Sequence, residues 1–181
     1  TSFHPLYEER RLREDNEFVY FIDKLGRTVR DFKHHTSMPE WIDFAVKSRE
    51  DLQVAIEEHF RVDNLDERFP ADWEAKVQKA AASGDLVLID GGCYYWQLRS
   101  IAGVENASYL FYDAEDLVDE LFERVNIVVM EGLRRAVKLA KIDLIGFGED
   151  IGFKTGPLVS PEMFRRLILP RYRKLMELAH S

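Results

Sequence analysis

A chain of 181 residues, 46% hydrophobic and with 12 Phe, 7 Tyr and 3 Trp, carries enough apolar material for one buried core, which excludes wholesale disorder. Its 33 acidic side chains outnumber 25 basic ones, and the formal charge of −8 excludes a generic phosphate-binding surface, so no nucleic-acid partner is expected. The single cysteine, Cys93, rules out an intrachain disulfide and a thiolate-rich metal site. No apolar run approaches the ~18 residues of a membrane span and no signal peptide is recognisable, which makes the cytoplasm the expected compartment and a membrane partner unexpected.

Before Glu17 the chain has few periodic apolar positions. Residues 18–22 and 28–32 are β-prone runs around the Gly-containing loop 23–27, and they predict a hairpin. Residues 41–46 read as an extended or irregular link. Ser48 and Asp51 form a capping-box pattern for a helix that runs to about His59. Pro70 suits the first turn of another helix, closed by Gly84.

Residues 86–89 are continuously apolar and end at Asp90-Gly91-Gly92, the pattern of a strand buried on both faces in a parallel sheet. A helix over about 94–102 follows, while 107–112 fit strand or loop equally. Asp113 is placed to cap a long helix to Ala140, whose apolar positions Leu117, Leu121, Val125 and Val128 keep helical spacing. Residues 142–147 form a second short apolar run. The loop over 148–159 then leads to Ser160-Pro161-Glu162, a hydroxyl cap with proline at the first helical position. Pro170 should kink the last helix, because it offers the Arg166 carbonyl no donor. The alternation is α/β, read as a single domain over residues 1–181.

In such folds chemistry sits at the carboxyl ends of parallel strands. Glu149 and Asp150, after the second strand, can supply a general acid or base; alternatively one caps a turn while the other faces solvent. Gly91 and Gly92 either let a ligand approach the backbone or simply make a turn. Tyr94, Tyr95 and Trp96 read as an aromatic wall for a flat ligand or as core. Cys93 reads as a structural thiol. The basic cluster Arg165, Arg166, Arg171, Arg173 and Lys174 reads as a solvated helix face. No His or Cys spacing points to a metal site built by this chain.

The run FGEDIGFKTGPLVSPEMF over residues 147–164, followed by LPRYRK over 169–174, resembles the uroporphyrinogen decarboxylase superfamily, which also includes the methylcobalamin:coenzyme M methyltransferases. Upstream, the DKLG at 23–26, the VKSRED at 46–51 and the YDAE at 112–115 keep the same order in its divergent branch. The resemblance implies a (β/α)8 TIM barrel with its active-site cleft at the carboxyl ends of the strands. The chain would then be a partial or incomplete barrel, the N-terminal to middle portion of a larger protein, with an N-terminal β-hairpin. It further implies a lyase that removes carboxyl groups from a polycarboxylate such as a porphyrinogen, with no cofactor. For that chemistry Asp150 and Glu149 are the catalytic candidates, and Gly91, Gly92, Tyr94, Arg99 and Lys154 the substrate-binding ones. The alternative within the superfamily is methyl transfer with zinc and a corrinoid partner, their ligands lying outside this chain. A third reading is a non-catalytic incomplete barrel. In each case an open half barrel is expected to form a homo-oligomer or to self-associate.

Overall fold

The computed structural model describes residues 1–84 and 86–180. Four antiparallel strands open the chain, β1 (Arg10–Glu14), β2 (Phe18–Ile22), β3 (Thr28–Phe32) and β4 (Glu40–Asp43), and they lie side by side in that order. The expected hairpin is β2–β3, with Phe18 opposite Phe32 and Ile22 opposite Thr28. Asp23 organises its turn: one carboxylate oxygen accepts from the Leu25 and Arg27 amides at 2.9 and 3.0 Å, and the other from Arg27 Nε at 2.7 Å. Gly26, at φ 76°, supplies the left-handed residue this loop needs. The two outer strands escape a reading by hydrophobic alternation because every residue of β1 and β4 is exposed. They are held by backbone pairing and by charge, as in the Arg30–Glu40 ion pair.

The remainder is mainly helical: α1 (Arg49–His59), a short 3-10 turn (Asp66–Arg68), α2 (Trp73–Ala82), α3 (Tyr94–Asp113), α4 (Glu115–Ala136), α5 (Pro161–Met163) and α6 (Leu169–His180). The capping box forms as predicted, the Ser48 hydroxyl accepting from the Asp51 amide at 3.1 Å while the Asp51 carboxylate accepts from the Ser48 amide at 3.1 Å. The core joins α1, α3, α4 and the turn that leads into α6 through Leu52, Ile56, Leu98, Leu121, Phe122 and Ile168, all fully buried. Helix α4 starts one residue beyond Ala114 rather than on an Asp113 side-chain cap, and it packs against α1, α3 and α6.

Helix α3 shows why residues 107–112 were ambiguous. The chain breaks at Gly103 (φ 76°, ψ 168°), close to the expected end at Ala102, and then re-enters helix as far as Asp113. Ala107, Leu110 and Phe111, at i, i+3 and i+4, face the core in this second arm. Before α6, residues Phe164–Ile168 widen into a π-turn, in which the Leu169 amide reaches the Phe164 carbonyl. Pro170 is thus accommodated by a local change of helix pitch, the known alternative to a simple kink.

The barrel expectation is corrected. Among the described residues the parallel strands are β5 (Leu88–Asp90) and β6 (Leu144–Gly146), paired Leu88 to Leu144 and Asp90 to Gly146 in a two-stranded sheet. They do not extend into a (β/α)8 barrel, and the largest sheet is the antiparallel one. Two helices packed on each other, α3 and α4, separate β5 from β6, where a barrel would alternate single helices with strands. The pair is also not buried on both faces, since Leu88 is 59% and Leu144 50% exposed. The remaining strands, β7 (Gly152–Phe153) and β8 (Gly156–Pro157), form a miniature hairpin inside the loop after β6.

Candidate functional site

The parallel pair brings the two expected strand ends together. Gly91 donates its amide to the Gly146 carbonyl at 2.8 Å, which sets the loop after β5 beside the loop after β6. Both glycines are there for packing: a side chain at Gly91 would collide with Phe147 and Ile145, and one at Gly92 (φ 77°) would lie 2.7 Å from Val129. Cys93, half-buried, sits at the N-cap of α3, and its sulfur accepts from the Gly148 amide at 3.3 Å. Burial pushes its thiol up, against the opposing pull of that amide.

Glu149 is buried at this junction. Its carboxylate accepts from the amides of Tyr94 at 2.7 Å and Trp96 at 3.2 Å, free donors of the first turn of α3, and from the Tyr172 hydroxyl of α6. An acid at that end of α3 also meets the positive pole of the helix. Burial raises its pKa above the ordinary carboxylate range, while the three hydrogen bonds pull the other way. The network continues behind it. Tyr94, fully buried, packs its ring at a tilt against Phe122 and donates its hydroxyl to Asn126 Oδ1 at 3.0 Å. Burial raises the phenols of both Tyr94 and Tyr172. Glu149 and Tyr94 are therefore brought together, but inside the packing.

Asp150 turns outward. It holds φ at 54°, the one positive value at a non-glycine residue among those described. Its carboxylate meets Arg99 Nη2 at 2.7 Å, the guanidinium being largely sheltered and the carboxylate 64% exposed. Lys154, in the β7–β8 turn, is exposed and lies 6.0 Å from the Phe153 ring centre. Tyr95 packs beside this pair with its hydroxyl buried and without a hydrogen-bond partner.

Two contributors escaped sequence reasoning. Tyr172 lies 23 positions from Glu149, and a helix face of uncertain pitch gives no sign that its hydroxyl reaches so far. Arg171, read as part of a solvated face, is 6% exposed. It donates to the carbonyls of Leu167 and Asp119 and pairs with Asp119 at 2.9 Å and Glu123 at 3.2 Å, tying α6 to α4. Its signal was the row Asp119, Glu123 four apart on α4. Beside the strand ends, a cavity of about 780 Å³ lies between α2, β5, α3 and α4.

Among the described residues no group of three or more His, Cys, Asp or Glu side chains converges as a metal ion requires, so zinc meets no fitting donor set here. No described helix is long and apolar enough to cross a membrane. Comparison with family models, with curated proteins and with solved structures returns no match to this chain.

Proposed function

We propose that the chain is a decarboxylase-like lyase that acts on a carboxylated small molecule, of the polycarboxylate kind a porphyrinogen exemplifies, at the Arg99–Asp150 pair. One observation carries this reading. Asp150 is a non-glycine residue at φ 54°, at the carboxyl end of a parallel strand, with its carboxylate 2.7 Å from a sheltered guanidinium. Left-handed backbone costs an L residue roughly 1–2 kcal/mol, and such strain gathers at sites of function. The resemblance of residues 147–164 to the uroporphyrinogen decarboxylase superfamily supports the same location.

The chemistry assigns each group a task. Arg99 exchanges Asp150 for a substrate carboxylate, which a guanidinium can grip through two parallel hydrogen bonds. Lys154 adds a second cation for a second carboxylate. When the carbon–carbon bond to the departing carboxylate breaks, CO2 leaves and the electron pair stays on carbon. That carbon then takes a proton from solvent, relayed through the Asp150 carboxyl once it is freed from Arg99. Glu149, with its oxygens already engaged, fixes the start of α3 and hence the position of Arg99 in the second turn of that helix. Gly91, Gly92 and Tyr94 serve the same frame. An acidic chain with a single cysteine suits a reducing compartment, so the cytoplasm is part of the proposal.

The test is Asp150→Asn with a matched thermal melt, read as CO2 released from a porphyrinogen polycarboxylate. A loss of turnover by roughly 10²–10⁴-fold at unchanged melting temperature is expected. Wild-type turnover in the variant assigns Asp150 to the turn alone and overturns the proposal.

A further inference from the structure

The cavity between α2, β5, α3 and α4 takes no part in the Arg99–Asp150 chemistry, yet its volume of about 780 Å³ falls within the range of small-molecule sites. Its walls are apolar and aromatic, with Phe69, Trp73, Val77, Trp96, Val128 and Leu133 prominent. Close approach of the elements is built in, because Gly132 presents no side chain to the Phe69 ring, which a Cβ there would meet at 3.2 Å.

The polar lining decides what such a cavity takes. Two cationic side chains border it, and both are already committed. Arg68, buried, donates to the main-chain carbonyls of Ser2, His59 and Arg61, and Lys76 pairs with Asp72 at 2.9 Å. Asp90, at the end of β5, is different. One of its carboxylate oxygens accepts from the Gly92 amide at 2.9 Å, and the other has no partner among the described residues. No cation pairs with Asp90 among the described residues. The positive pole of α3, which would otherwise answer it, is occupied by Glu149. One helical turn into α3, Gln97 borders the same space, its side-chain amide without a hydrogen bond to any described residue.

We propose that this cavity binds an amine carried on an aromatic body. The ammonium would pair with the unused oxygen of Asp90 and share the Gln97 carbonyl. The ring would lie among Trp73, Trp96 and Phe69, whose faces attract both apolar surface and positive charge. A carboxylate on the same body has no uncommitted cation to meet and is repelled by Asp90.

Calorimetric titration of the whole chain with three ligands of one shape tests this: tryptamine, the neutral 3-ethylindole and the anionic indole-3-propionate. Tryptamine is expected to bind at least about tenfold more tightly than the other two, the worth of one hydrogen bond to a charged group. Asp90→Asn should erase that preference; Asp90 is exposed, so the fold should tolerate the change. Ala80→Trp, which puts a large ring on an exposed, cavity-lining position of α2, should weaken all three at unchanged melting temperature. The proposal is overturned by equal affinity for the amine and the acid, by a preference that survives Asp90→Asn, or by binding that ignores Ala80→Trp. It is equally overturned if tryptamine fails to bind at about 1 mM.

Discussion

Replacing Glu149 with alanine would strand three donors at once, the amides of Tyr94 and Trp96 and the Tyr172 hydroxyl. Each buried donor without an acceptor costs about 1–3 kcal/mol. Two effects reduce the sum: the shortened side chain admits water to the start of α3, and the desolvation cost of a buried carboxylate disappears. The net loss should be roughly 2–4 kcal/mol, a large share of a typical margin of roughly 5–15 kcal/mol. Urea denaturation followed by circular dichroism measures it. A loss below about 1 kcal/mol would mean that these donors find other partners and that Glu149 does not hold the helix. The isosteric Glu149→Gln isolates the charge. Burial raises the folded pKa of Glu149, so the folded protein binds that proton more tightly than the unfolded chain does. The resulting stability is fully present below the ordinary carboxylate range and is lost as pH rises through the raised value. The stability of wild type minus that of Glu149→Gln should therefore fall with rising pH across this window. A difference that stays flat or climbs refutes the reasoning.

Ser48→Ala removes one half of the α1 capping box and should cost about 1 kcal/mol in urea denaturation, with Ser48→Asp restoring most of it. Gly103→Ala forces an L side chain to φ 76° and puts its Cβ 2.7 Å from the Phe44 ring; a loss of roughly 2–4 kcal/mol is expected. The short β5–β6 pair leaves Leu88 and Leu144 exposed, so sedimentation should show concentration-dependent self-association that Leu88→Lys combined with Leu144→Lys abolishes.

Local signals in this chain were legible at three places where one residue decides a backbone. Ser48 with Asp51, Ser160 before Pro161, and the Gly26 turn each satisfy named amides or a required φ, and all stand as read. The parallel pairing of the two apolar runs was legible too, through their flanking helices and glycines. What failed was extrapolation from that pair to a closed barrel. Short apolar runs such as 86–89 cannot say how many neighbours a strand has, and Leu88 and Leu144 face solvent instead of a second helix layer. Strand β1 was invisible because a charged edge strand leaves no alternating pattern, and β4 was legible only as an extended or irregular link. At the site, the position of Glu149 and Asp150 after β6 followed from the sequence, as did the alternative in which one accepts backbone amides while the other faces solvent, but not which residue does which. One residue points into the protein and its neighbour out of it, and that follows from the left-handed backbone at Asp150, which nothing in the residue order announces.

The most direct measurement of the central claim is CO2 released by the wild-type chain from a porphyrinogen polycarboxylate, with the fully esterified substrate and the heat-denatured chain run alongside. Release that depends on free carboxylates and on the folded chain is the predicted result. No release above the denatured control, under conditions where the chain melts cooperatively, would contradict the lyase reading.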